Sequence, residues 1–211
     1  NGRILDISQP GLERIVKIRI EHLNEMGDLC QKSLLIEIMG KHSNIIFCDD
    51  TGTIIDSIKH VSSAVSSIRE VLPGHPYFIP QTQEKRNPLT ETQSGFLEAF
   101  PAKALPACKA LYMTYTGISP TAAQEICFRS GIDSDRPAPA LSDVELSALW
   151  QSFDMLMQQI QMGEFSPMIV YENGSPRDYA AIPLTSYPAA QQKSYPSISE
   201  LLHQYYAEKN T

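Results

Sequence analysis

The hydrophobic period of this chain changes partway along it, and that change limits the folds open to it. Over the first sixty residues apolar side chains recur at every second position. In ERIVKIRIEH, Val16, Ile18 and Ile20 point one way and Lys17, Arg19 and Glu21 the other, as a half-buried strand requires. SLLIEIMG and NIIFCD are apolar runs of strand length, and the residues before them also open in strand-like fashion. Asp49-Asp50-Thr51-Gly52 supplies turn chemistry ahead of TIIDSIKH, so NIIFCD and TIIDSI are predicted to pair as an antiparallel hairpin.

From about Phe96 to Met162 the period becomes helical. Leu105, Cys108, Ala110, Leu111 and Met113 suit one helix, and Ala122, Ala123, Ile126 and Cys127 a second. Leu146, Leu149, Trp150, Phe153, Leu156, Met157 and Ile160 give a third, within 141–160, with steps of three and four. Between the strands and the helices runs a segment carrying Pro73, Pro76, Pro80 and Pro88, which reads as an ordered surface loop pinned by Tyr77 and Phe78. Strand character then returns in SPMIVY and DYAAIPL, joined by Asn173-Gly174, a pair that favours the type I′ turn. SISELLHQYYAEKN closes the chain as a helix capped by Ser197 or Ser199. The class is α+β: a β-rich part with a helical subdomain inserted into it or packed beside it.

Composition narrows the function. With 42% hydrophobic and 19% charged residues in 211, the chain can bury a core and is not a disordered tail. The net charge of −7 argues against a general nucleic-acid binder, but it is unevenly spread. Residues 1–90 hold 10 Lys and Arg against 11 Asp and Glu; the remainder holds 7 against 13. The nearly neutral first part is the likelier face for phosphate. No apolar stretch approaches the ~20 residues of a membrane-spanning helix, and the opening residues lack the apolar core of a signal peptide. The absence of an initiator Met suggests a piece of a longer protein.

Three clusters carry candidate chemistry. In LYMTYTGISPTAAQEI, a helix ends near Thr116-Gly117 and another begins with Ser119 as cap and Pro120 in its first turn. This helix-hairpin-helix pattern makes Gly117, Ile118 and Ser119 candidates for holding a phosphate on free amides; the alternative is a hairpin that only packs. Second, Lys41-His42-Ser43-Asn44 forms a polar turn between apolar strands. It is no P-loop, since position 35 is Leu and no helix follows, but it offers cations to an anionic backbone unless it is only a solvated loop. Third, Glu13-Arg14 follows the turn Gln9-Pro10-Gly11 and can present an arginine to a phosphate or a base, or form a plain surface ion pair. The four cysteines show no CxxC and the five histidines no HxxxH or HExxH, so no zinc, no other cofactor and no catalytic role are expected. Cys30, Cys48, Cys108 and Cys127 read as reduced core residues, which suits the cytoplasm.

Taken in order, QPGLERIV, LLIEIMGKHSNIIFCDDTGTIIDSIKH, REVLPGHPYFIP, TGISPTAAQEI and SELLHQYY resemble the NFACT-N family over nearly the whole chain. The resemblance implies an antiparallel β-sandwich like the N-terminal domain of formamidopyrimidine-DNA glycosylases, without the glycosylase chemistry, joined to a helix-hairpin-helix. It implies residues 1–94 as the later part of the β-rich domain, 95–164 as the helical subdomain, 165–190 as a returning hairpin and 195–211 as the start of a coiled coil. It also implies a cytoplasmic role in ribosome quality control. The partners would be a large ribosomal subunit obstructed by peptidyl-tRNA, and tRNA recruited to extend the stalled peptide without mRNA, alanine tRNA in bacterial members. The family's Asp-Arg pair for tRNA falls on Glu13-Arg14. An older family label implies a competing role, a surface adhesin whose partner is fibronectin.

Overall fold

The computed structural model describes residues 2–80 and 84–209. The chain divides into two compact units, residues 1–85 and 86–211.

The first unit is a meander. Strands β1 (Gly2–Ser8), β2 (Ile15–Leu23), β3 (Leu29–Glu37), β4 (Asn44–Asp49) and β5 (Ile54–Ser57) pair with their sequence neighbours, all antiparallel. The register of β2 on β3 is unbroken from Ile15↔Glu37 to Leu23↔Leu29, and β3 continues onto β4 from Lys32↔Asp49 to Glu37↔Asn44. Alternation therefore puts Ile15, Leu35, Ile46 and Cys48 on one face, where they are buried together with Ile54. A strap of residues 58–80 covers that face with Val61, Val71, Tyr77 and Ile79. Tyr77 pins the strap as predicted, but Phe78 is exposed. The other face carries Val16, Ile18, Ile20, Leu34, Ile36, Ile45 and Phe47, all half-buried.

A β-sandwich needs two stacked sheets, and the described residues of this unit hold one. Alternation puts Val16, Ile18 and Ile20 on one face of β2 and Lys17, Arg19 and Glu21 on the other, but says nothing of which element covers each face.

The second unit opens with α1 (Gln93–Ala99), α2 (Ala107–Thr114), α3 (Pro120–Arg129) and α4 (Asp143–Gln161). Phe96 anchors them, its ring 5.2 Å from Phe100, 5.3 Å from Phe153 and 6.0 Å from Tyr115. Helix α4 starts with a capping box, in which Ser142 and Glu145 each accept the other's backbone N–H. Helix α2 stops at Thr114 rather than near Thr116, because Tyr115 is extended and the chain on either side of it pairs with Arg86: Arg86 N–H donates to Thr114 O (2.8 Å) and Thr116 N–H to Arg86 O (2.9 Å).

The returning strands β6 (Met168–Glu172) and β7 (Ser175–Ala180) form the expected hairpin, with Asn173 and Gly174 at φ 51° and 77° as a type I′ turn demands. They do not join the first sheet. With β8 (Gln192–Ser194) they build a separate sheet in the order β7-β6-β8. Helix α5 (Ile198–Lys209), its Glu200 N–H held by Ser197 Oγ, packs Leu201 and Tyr205 on Ile169 of that sheet. The division between the units lies at 85/86, ahead of the boundary at 94/95 that the family resemblance implies.

Two buried carboxylates lock this unit. Glu125 of α3 is fully buried; it accepts from Arg129 Nε (2.8 Å), Thr185 N (2.9 Å) and Ser186 N (3.1 Å), while Arg129 also donates to Pro183 O (2.6 Å). Burial opposes its charge, yet the bonds from Thr185, Arg129 and the Ser186 amide outweigh it and hold the carboxyl below its usual range. Glu91 takes both Arg86 Nε (2.5 Å) and Nη2 (2.8 Å) directly over Gly95.

Because the Glu125 carboxyl is depressed in the folded state, its contribution is present above the unfolded carboxylate pKa and lost as pH falls through the folded value. Acid titration of thermal stability should show the second unit weakening below about pH 4.5. Glu125→Ala should cost about 3 kcal/mol at neutral pH and flatten that acid limb. A Cβ at Gly95 would overlap both the Glu91 carboxylate and Arg86 Nη2, so Gly95→Ala should lower the melting temperature, at a cost of about 1–3 kcal/mol.

Candidate nucleic-acid interface

The meander brings three chain segments to one end of the first sheet: the start of β2, the end of β3 and the start of β4, aligned as Ile15↔Glu37↔Asn44. Arg14 precedes β2 there. Its side chain is exposed, while its carbonyl accepts the Ile38 N–H at 2.8 Å, so its backbone belongs to the ladder. Glu13 is half-buried, with its N–H on Pro10 O (3.0 Å) and its carbonyl taken by Gln9 Nε2 (2.8 Å). Among the described residues the two do not form an ion pair, which removes the plain surface-pair alternative and leaves the Arg14 guanidinium facing solvent.

The polar turn divides into two kinds of residue. Lys41 and His42 are exposed, carried on a 3-10 turn (Gly40–His42) that begins with Gly40 at φ 58°. Asn44 faces inward and is corrected here as a free contact to RNA, whereas Ser43 is half-buried. Ser43 Oγ accepts the Met39 N–H at 2.9 Å and closes the turn. Asn44 is 7% exposed and its amide is committed: Nδ2 donates to Lys59 O (2.9 Å), and Oδ1 accepts from Ile45 N (2.9 Å) and Lys59 N (3.0 Å). A buried amide with three internal hydrogen bonds serves to hold the turn and the strap together.

Those bonds place Lys59, which the sequence motifs did not single out. Its side chain is exposed and donates to Lys41 O at 3.2 Å, leaving further N–H donors on the ammonium. A one-residue bulge in β4–β5, where Ile46 faces Ser57 but Cys48 faces Ile54, brings Lys59 rather than Ile58 opposite Asn44. Arg14, Lys41, His42 and Lys59 thus share this end of the sheet.

A second carboxylate here, besides that of Glu13, is that of Glu37, and it is fully buried. Arg69 Nη2 and Tyr77 Oη (3.0 Å) donate to it, and Arg69 Nη1 donates to Phe78 O at 2.8 Å. Burial, reinforced by the facing carboxylate, pushes the Tyr77 hydroxyl up, so it stays protonated as a donor. The negative charge of Glu37 is therefore balanced inside the protein, and the exposed cations keep theirs for the outside.

The helix-hairpin-helix candidates lie in the other unit. Gly117 is exposed at φ 77°, Ile118 is buried, and Ser119 caps α3 by accepting the Ala122 N–H at 3.1 Å. Pro120 has no N–H. Two donors expected at this helix start are thus not available to a phosphate, and the buried Ile118 favours the hairpin that packs.

The model for "NFACT N-terminal and middle domains" matches residues 1–211. A Rqc2 homolog, RqcH, from Bacillus subtilis is 32% identical over 209 residues, covering 99% of this chain and 34% of its own length. The archaeal Rqc2 homolog aRqcH from Methanocaldococcus jannaschii is 28% identical over 212 residues, 99% of this chain and 30% of its own. Among solved structures, the fibrinogen binding protein from Staphylococcus aureus superposes with a TM-score of 0.78 at 29% identity, over 97% of this chain and 70% of that one. The N-terminal part of the fibronectin/fibrinogen-binding protein from Streptococcus suis gives 0.73 at 29% identity, over 98% and 68%. The chain spans about a third of the length of the curated relatives it matches. Matched along its whole length by the family model, the chain belongs to the family of NFACT N-terminal and middle domains.

Proposed function

We propose that this chain is the RNA-gripping part of a ribosome quality control factor, acting by binding and not by catalysis. One observation carries the reading: Arg14, Lys41, His42 and Lys59 stand exposed at one end of the sheet, while the nearest buried carboxylate, Glu37, is neutralised from within by Arg69. Arg14, Lys41 and Lys59 are cations of the kind that grip a sugar-phosphate backbone without reading its sequence, with His42 beside them. Arg14 supplies a planar fork for a phosphate or a stacking surface for a base, and the two lysines supply point charges. The relatives named as Rqc2 homologs give the biological setting. The partners in this reading are a large ribosomal subunit holding peptidyl-tRNA and an incoming tRNA, alanine tRNA in bacterial members, met in the cytoplasm. Among the described residues no helix is long and apolar enough to cross a membrane.

A second reading has its own support. The solved neighbours are titled fibrinogen- and fibronectin-binding proteins, so adhesion to those host proteins is the competing function.

One titration separates the two. Binding of bulk tRNA to the protein at its natural length is measured across a salt series, alongside binding to immobilised fibronectin and fibrinogen. Arg14→Ala and Lys41→Ala should each weaken tRNA about tenfold and lower the salt slope by about one, as the loss of a phosphate contact does. Asn44→Ala should instead lower thermal stability by about 1–3 kcal/mol and leave the slope unchanged, since its amide is internal. Salt-independent tRNA binding together with tight capture of fibronectin would favour the adhesin.

A further inference from the structure

The exposed cations do not hold themselves in place. Arg14 directly precedes β2, Lys41 and His42 ride a 3-10 turn, and Lys59 sits in the strap just past β5, so each lies outside the strands themselves. What ties Arg14 to the Lys41–His42 turn is the end of β3. Glu37 is its last residue; Ile38, next in the chain, donates to Arg14 O (2.8 Å), and Met39, after that, donates to Ser43 Oγ (2.9 Å) to close the lysine turn.

Glu37 is in turn gripped from the strap. Arg69 reaches it with one guanidinium nitrogen and holds Phe78 O at 2.8 Å with another, and Tyr77 adds its hydroxyl at 3.0 Å. The Arg69 side chain is 10% exposed and that of Glu37 0%. An ion pair so buried gains little net stability over apolar residues of similar volume, although removing one partner is costly. It does, however, tie the last residue of β3 to the strap.

We infer that Arg69 is a positioning residue for the nucleic-acid grip: through the buried Glu37 carboxylate, and with Tyr77, it fixes the end of β3 and so the spacing between Arg14 and the Lys41–His42 turn. Arg69 touches no ligand itself. A side chain held by packing and supporting hydrogen bonds is what gives exposed contacts a defined spacing, and displacing the support weakens all of them together. This inference rests on the RNA reading above and adds a residue that charge and exposure alone would not select.

The salt dependence of tRNA affinity tests it, because a lost contact and a lost support leave different signatures. In the protein at its natural length, Arg69→Met should weaken bulk tRNA binding about tenfold with the salt slope unchanged, since no exposed cation is lost. Arg69→Lys keeps a cation for Glu37 but not the fork, and should recover part of that loss. Tyr77→Phe removes one donor from Glu37 and keeps the ion pair; it serves where Arg69→Met fails to fold, and should weaken binding about threefold, again at constant slope. Circular dichroism and thermal melting establish that each variant is folded. A slope lowered by Arg69→Met would make Arg69 a direct contact and overturn the inference, as would wild-type affinity in folded Arg69→Met or in Tyr77→Phe. Should Arg14→Ala and Lys41→Ala leave both affinity and slope untouched, the RNA reading itself fails; should they lower both while the Arg69 and Tyr77 variants bind normally, only the positioning role fails.

Discussion

Strand register organises this molecule's candidate site. Because β2, β3 and β4 pair without interruption through Ile15↔Glu37↔Asn44, three segments far apart in sequence finish at the same sheet end. A slip of one residue in either ladder would turn Ile15, Leu35 and Ile46 out of the core and point Glu37 and Asn44 at solvent. The apolar faces thus enforce the register, and the register places the polar groups. Burial of Ile15, Leu35, Ile46, Cys48 and Ile54 under the strap is what allows Arg14, Lys41, His42 and Lys59 to be displayed together.

Charge is distributed to the same end. The chain carries a formal −7, a poor starting point for binding an anion, but the fully buried carboxylate at the sheet end is paired internally. Glu37 is inside, facing Arg69 and Tyr77, and Glu13 is half-buried. Elsewhere negative charge is used for construction: Glu125 ties α3 to the 183–186 loop, Glu91 braces Arg86, and Glu145 closes the box at the head of α4. Side-chain bonding by Arg136 takes the Glu145 carboxyl down to about 2, so it stays ionised at any working pH. Net charge therefore says little about this surface; what matters is which charges are already balanced within the fold.

Much of this was legible in the residues. Period-two alternation located β2, β3 and β4, and the Asp49–Gly52 turn located the hairpin; Ser119, Pro120, Ser197 and Asn173-Gly174 marked helix starts and a tight turn where the structure has them. What was not legible depends on groups distant in sequence. Asn44 looks like a polar turn residue until residue 59 closes on it, and a bulge sets that partner. Glu37 reads as one more alternating polar position, yet Arg69, 32 residues later, makes it a buried anchor. Alternation likewise shows that a strand has an apolar face but not what covers it, so neither the strap over the first sheet nor the separate sheet of the returning strands was legible in it. The hairpin at Gly117–Ser119 has the right residues for a phosphate cradle, but Ser119 Oγ already occupies the Ala122 amide.

The most direct measurement is photo-crosslinking of the protein at its natural length to tRNA, followed by mass spectrometry of the attached peptides. The account predicts crosslinks on the peptides bearing Arg14, Lys41–His42 and Lys59, in the first unit. Crosslinks confined to the 117–119 hairpin, or none from tRNA while fibronectin labels the same sheet end, would contradict it.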